Sequence, residues 1–204
     1  NTALGGAALG SNTTASFNTA VGYQSGLANT TGNLTAFGYQ AGYSNTTGDS
    51  LHAVGYRALY SNTTGTSNTG IGQQALYSNT TANNNTAVGY QSLYANTTGT
   101  QNTAVGAFAG DAATTAGNNT SLGYAALTSA TTGEGNTALG SIALFVNTTG
   151  GSNVAVGQEA LRYNTTASNN TAVGFQSLFV NTTGTNNTGI GYRALIANTT
   201  GANN

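Results

Sequence analysis

The chain has 204 residues, only 3% of them charged, with three Lys+Arg against four Asp+Glu and a formal net charge of −1. A typical soluble domain carries roughly 25% charged residues, so this is not the composition of an ordinary globule. Arg57, Arg162 and Arg193, without a single lysine, cannot form the basic stripe that nucleic-acid binding requires.

Cysteine is absent, which excludes a disulfide framework and a thiolate metal site. No apolar run approaches the roughly 18 residues of a membrane-spanning helix. Abundant Asn, Thr and Gly could indicate disorder, but disordered chains are poor in apolar residues. Here the apolar residues return at fixed places, which indicates packing.

That return has a fixed period. Units begin at residues 1, 18, 34, 51, 68, 85, 102, 119, 136, 153, 170 and 187, giving twelve units of 17 residues with one residue missing from the second. Positions are numbered within a unit, so Asn85 is position 1 and Gln101 position 17 of the sixth. A short fixed period signals a solenoid, whose units bury a core only by stacking on their neighbours. The whole of 1–204 therefore reads as one repeat array, a segment of a longer fibre.

Along each unit the elements come in order. Position 3 is Ala, Gly or Ser, position 4 is apolar in every unit, and position 5 is Gly from Gly5 to Gly191. Position 8 is again small, and position 9 is Leu in nine units and Gly in three (Gly26, Gly42, Gly110). Asn at positions 1 and 12, with Gly at 5 and 15, supplies corner residues, since both tolerate φ > 0. The segments T-A-V-G-Y and A-L-Y are short, β-prone and bounded by turn signals. They predict an all-β parallel solenoid with two short strands per rung, the rungs about 4.8 Å apart and the rod about 57 Å long.

Two aromatic columns follow from the period, with tyrosine recurring at position 6 (Tyr23, Tyr39, Tyr56, Tyr90, Tyr124, Tyr192) and at position 10 (Tyr43, Tyr60, Tyr77, Tyr94). Irregular units cluster near the middle. There position 6 is Ala107, positions 9 and 10 are Gly110 and Asp111, and Ala113 and Ala130 replace the corner Asn.

Strand parity puts tiny residues on one face and large ones on the other. Two packings follow. Either a narrow interior is filled by Ala and Gly, with Val54, Leu59, Val88, Leu93, Val173 and Leu178 facing a neighbouring chain, or those residues fill a thicker coil. Exposed apolar columns on a nearly charge-free rod call for partners.

The N-T-T corner recurs at Asn12, Asn29, Asn45, Asn62, Asn79, Asn96, Asn147, Asn164, Asn181 and Asn198. Each fits the N-x-[ST] glycan acceptor pattern of an exposed loop in an exported protein. The competing reading is that amides and hydroxyls bond the corner backbone and ladder along the stack. With Thr97 and Thr98 as the pattern, these corners are the candidate glycan-bearing or ligand-facing sites. Ice binding wants Thr at i and i+2 on one face; the invariant corner pair is adjacent and diverges if extended.

Catalysis finds no constellation. The one histidine, His52, replaces Thr at position 2 and has no partner pattern for a triad. Asp49, Asp111, Glu134 and Glu159 are scattered over different corners, with no repeat that would pair carboxylates or bind Ca²⁺. No cofactor and no metal ligand set is expected.

The core N-T-A-V-G-x-x-[AS], seen in Asn85-Thr86-Ala87-Val88-Gly89 with Ser92 and in Asn136-Thr137-Ala138-Leu139-Gly140 with Ala143, resembles the head repeat of YadA-like trimeric autotransporter adhesins. Related repeats occur in bacterial and phage surface fibres. The resemblance covers every unit and implies a left-handed β-roll, three chains together, at the cell surface or outside the cell, binding host or matrix surfaces. The period here is longer, with an added N-T-T-G corner, and neck, heptad stalk and anchor patterns are not seen. The function expected is thus a non-enzymatic structural fibre or adhesin segment forming a homo-oligomer. The alternative is a carbohydrate- or ice-binding solenoid using the Thr corners or Tyr columns.

Overall fold

A computed structural model describes residues 1–204. The chain is a β-solenoid with one strand per rung. In order these are β1 (Thr2–Leu4), β2 (Thr19–Val21), β3 (Leu34–Phe37), β4 (Leu51–Val54), β5 (Thr69–Ile71) and β6 (Thr86–Val88). The array continues with β7 (Thr103–Val105), β8 (Thr120–Leu122), β9 (Thr137–Leu139), β10 (Val154–Val156), β11 (Thr171–Val173) and β12 (Thr188–Ile190). All twelve form one parallel sheet in sequence order. Like pairs with like across each step, as in Thr86↔Thr103, Ala87↔Ala104 and Val88↔Val105.

The expected second strand is instead a stacked double turn. Positions 7 and 9 sit in the left-handed region, Gln91 at φ 51° and Leu93 at φ 49°, so A-L-Y is not extended. Turn bonds close it within the rung: Ser92 N–H donates to Gly89 O at 3.5 Å and Asn96 N–H to Leu93 O at 3.2 Å. Bonds to the next rung hold it in register, Leu93 N–H to Ala109 O at 3.0 Å and Ala95 N–H to Asp111 O at 2.8 Å. A non-glycine residue in this region costs of order 1 kcal/mol. Identical neighbours above and below impose the same geometry and offset that cost.

The two proposed packings each hold in part. In the strand, Ala87 is buried and Val88 is half-buried on the outer face, as are Val54 and Val173. Beyond Gly89 the coil turns, and Leu59, Leu93 and Leu178 point inward and are buried. The interior therefore holds Ala at positions 3 and 8, Leu at 9, and asparagine. Of the 22 buried polar residues, 17 are Asn, which makes amides the second major constituent of the core.

Size compensation runs between rungs. Units two and three have Gly26 and Gly42 at position 9, and Leu34 and Leu51 replace Asn at position 1 of units three and four. A Cβ on Gly26 would meet Leu34 Cδ2 at 2.9 Å, and one on Gly42 would meet Leu34 Cδ1 and Cδ2 at 3.1 Å. Leu34 thus fills the space that position-9 leucines fill elsewhere. Leu34→Ala is expected to cost about 3 kcal/mol, as for other buried leucines; a urea titration of the variant against the parent checks it.

Candidate functional site

The corner asparagines lie inside the coil. Asn29, Asn45, Asn62, Asn79, Asn96, Asn147, Asn164 and Asn181 are fully buried, and Asn12 and Asn198 are half-buried. Each side chain is committed. Asn96 Nδ2 donates to Asn79 Oδ1 at 2.9 Å in the rung before it and to Gly99 O at 3.0 Å in its own corner. Asn45, Asn62, Asn79, Asn164, Asn181 and Asn198 repeat the inter-rung bond. A glycan or ligand on such an amide would have to displace the core, so the fully buried corner asparagines are removed from the candidate surface.

A second amide column occupies position 1. Asn85 Oδ1 accepts from the Asn102 backbone N–H at 2.9 Å, and Asn85 Nδ2 donates to Gly99 O at 2.8 Å. The second unit, one residue short, disturbs both columns: Asn12 Oδ1 and Asn18 Nδ2 are two of only four buried side-chain atoms without a partner.

The corner threonines divide their work. The Thr97 hydroxyl donates to Thr114 O at 3.0 Å, and the same bond recurs at most other rungs. Thr98 is exposed and makes no such bond. The corner is a bend rather than extended chain, and of the adjacent pair the second member is the more exposed.

The outer face of the sheet carries position 2 and position 4. Position 2 is threonine in all units but two, which have His52 and Val154. Position 4 forms an apolar column whose members are half-buried or exposed, with Phe37, Ile71 and Leu139 each 40% exposed. Round the turn, position 6 extends this face with Tyr23, Tyr39, Tyr56, Tyr90 and Tyr124, all exposed. Sequence parity finds the valines, but it cannot separate them from the leucines, because the chain between them is not extended.

The aromatic columns stack along the rod. Tyr43, Tyr60, Tyr77 and Tyr94 have ring centroids 5.0, 5.2 and 5.1 Å apart, and Tyr23, Tyr39 and Tyr56 follow at 5.6 and 5.4 Å. Inside these runs the ring faces cover each other, so the faces on which a sugar would stack are already occupied. Arg57 bridges the columns, its guanidinium 5.3 Å from the Tyr56 ring and 5.2 Å from the Tyr60 ring.

Position 7 adds a partly buried polar column that the sequence reading missed. Gln40 Nε2 donates to Gln24 Oε1 at 2.8 Å, and Arg57 Nε donates to Gln40 Oε1 at 2.8 Å. Gln176 Nε2 donates to Glu159 Oε2 at 2.6 Å, and Arg162 pairs with Glu159 at 2.8 Å. The signal was Gln recurring at one position of five units (Gln24, Gln40, Gln74, Gln91, Gln176).

Asp49 accepts the Asn33 N–H at 2.8 Å, which holds its carboxyl below the usual range. Burial pushes the Asp111 carboxyl up. No group of three or more His, Cys, Asp or Glu gathers where it could hold a metal ion, and His52 stands exposed on the outer sheet face.

Comparison with protein-family models, curated proteins and solved structures finds no match for the chain.

Proposed function

We propose that this chain is a non-enzymatic structural rod, a segment of an extracellular or cell-surface fibre that associates side by side with copies of itself. The observation that carries the reading is the outward apolar column at position 4, continuous from Leu4 to Ile190. Beside it runs the exposed position-6 tyrosine column, on a rod with almost no charge to keep copies apart. A contact strip about 57 Å long and about 10 Å wide buries on the order of 1,100 Å² over two partners, near the lower bound for a specific interface. The resemblance to trimeric adhesin heads favours three chains, and host glycans or matrix as the surface such a fibre would touch.

The test is the molar mass in solution by sedimentation equilibrium or light scattering at micromolar concentration. A homo-oligomer is expected, and Val88→Glu with Val105→Glu should return it to monomer with the circular dichroism unchanged. A parent chain that is monomeric overturns the reading.

A second reading, binding to ice, is favoured by the outer sheet face rather than the corners. There Thr at position 2 and an aliphatic residue at position 4 stand at i and i+2 in most units, and the position-2 hydroxyls find no partner within the chain. An ice recrystallisation assay of the parent and of Thr86→Tyr decides it, a positive parent and an inactive variant being required.

A further inference from the structure

Five side-chain columns lose members together between residues 102 and 135, the only stretch where all five do so at once. The position-12 amide column stops at Asn96, because Ala113 and Ala130 follow it. Asn96 Oδ1 is buried and has no partner. On the far side Asn147 Nδ2 donates only to Gly150 O at 2.8 Å and has no earlier amide to reach. The position-10 tyrosine stack ends at Tyr94 and is followed by Asp111 and Thr128. The position-7 polar column ends at Gln91, passes Phe108, Ala125 and Ile142, and resumes at Glu159. The position-9 leucine column is broken by Gly110, and here, unlike at Gly26 and Gly42, no position-1 leucine fills the gap.

The fifth change is at position 6, where Ala107, like Gln73 in the fifth unit, stands in place of tyrosine. Phe108 covers the gap edge-on, its ring 5.1 Å from Tyr90 and 6.1 Å from Tyr124, at 83° and 90° in place of the parallel stack. The apolar core divides at the same place. One cluster runs from Leu34 to Ala116 and a separate one from Ala126 to Leu178. What continues across is the backbone, position 1 and the corner hydroxyls: β7 pairs with β8 in register, Gly110 N–H donates to Ala126 O at 3.0 Å, Asn102 Oδ1 accepts from Asn119 N–H at 3.0 Å, and the Thr114 hydroxyl donates to Thr131 O at 3.1 Å.

In a stacked array each rung is held by its nearest-neighbour interfaces, so coincident losses at one interface define the place where the stack parts first. We propose that residues 102–135 are a built-in joint dividing the rod into two cooperative blocks, 34–101 and 136–190. The joint opens locally while both blocks remain folded. A rod built this way yields at a set position rather than at random along its length.

Native-state hydrogen exchange, read by mass spectrometry on the full chain, tests this. Peptides within 102–135 are expected to exchange at least about tenfold faster than those within 51–101 and 136–186. The repair pair Ala113→Asn with Ala130→Asn, which gives Asn96 and Asn147 their missing neighbours, should remove most of that difference. Equal protection across the three regions in the parent overturns the proposal. If the repaired chain does not fold, the reciprocal pair Asn62→Ala with Asn79→Ala keeps the test open. It should create a new fast-exchanging segment inside 51–101, and its failure to do so overturns the proposal.

Discussion

Alanine in place of Gly89 is expected to cost more than about 4 kcal/mol, at the far end of what single substitutions do. Two penalties combine there. The backbone stands at φ +137°, a conformation that L side chains rarely adopt. The added Cβ would also lie 2.5 Å from Gly106 O and 2.6 Å from Gly106 C, atoms of the next rung's backbone that cannot step aside. Position 5 is glycine in every unit because each copy must admit the carbonyl of the next. The control is Gly135→Ala: φ is +67° but the added Cβ would meet nothing nearer than Ser152 Oγ at 3.7 Å, so only the conformational cost of about 1–3 kcal/mol remains. Urea titrations of both variants, followed by far-ultraviolet circular dichroism, measure the difference. Equal midpoints would show that inter-rung closeness does not matter at this position.

Asn79→Asp should be nearly as damaging at neutral pH, about 3–5 kcal/mol, the scale of an uncompensated buried charge. Asn79 Nδ2 donates to Asn62 Oδ1 at 2.8 Å and to Ala82 O at 3.2 Å, both acceptors that a carboxylate would repel. Only the bond received from Asn96 Nδ2, at 2.9 Å, would survive. The pH dependence has a definite sign. Burial raises the folded-state pKa of the new carboxyl above the unfolded value of about 3.9. The variant therefore loses stability relative to the parent as pH rises above about 4, and the loss levels off once pH passes the folded value. Below about pH 4 the protonated acid can donate one bond, and the deficit shrinks. Asn79→Ala, lacking a titrating group, should show a loss of about 1–3 kcal/mol that does not change with pH. Denaturation midpoints of the three chains between pH 3 and 8 give the comparison, and parallel curves for Asp and Ala would refute a buried amide column.

Much of this architecture is legible in the residues themselves. The period, the number of rungs, the T-A-V strand and the glycine at position 5 all follow from what recurs. Three things do not, and each has a physical cause. Parity arguments hold only along extended chain, so they place Ala87 and Val88 on opposite faces and say nothing reliable about Leu93, which lies beyond Gly89 in a left-handed turn. Hydropathy counts Asn as a surface residue, so N-T-T reads as an exposed corner although its amide is buried. The clue was in the exceptions: Ala113, Ala130, Leu34 and Leu51 stand where other units have Asn, and an outward corner has no reason to accept apolar replacements in this way. The Leu34 plug and the Phe108 cover, finally, join residues of adjacent units, and a unit-by-unit alignment does not see across that boundary.

The position-12 amide column has a direction. In each intact step the later rung donates Nδ2–H and the earlier rung accepts at Oδ1, as from Asn62 to Asn45 and from Asn181 to Asn164. The amide dipoles in that column therefore add along the axis instead of cancelling. A cut between two such rungs leaves acceptors on one face and donors on the other. At this column a head-to-tail contact matches donor to acceptor, while two like faces offer each other only acceptors or only donors. The column thus carries a polarity along the axis, built from an uncharged side chain that does not titrate.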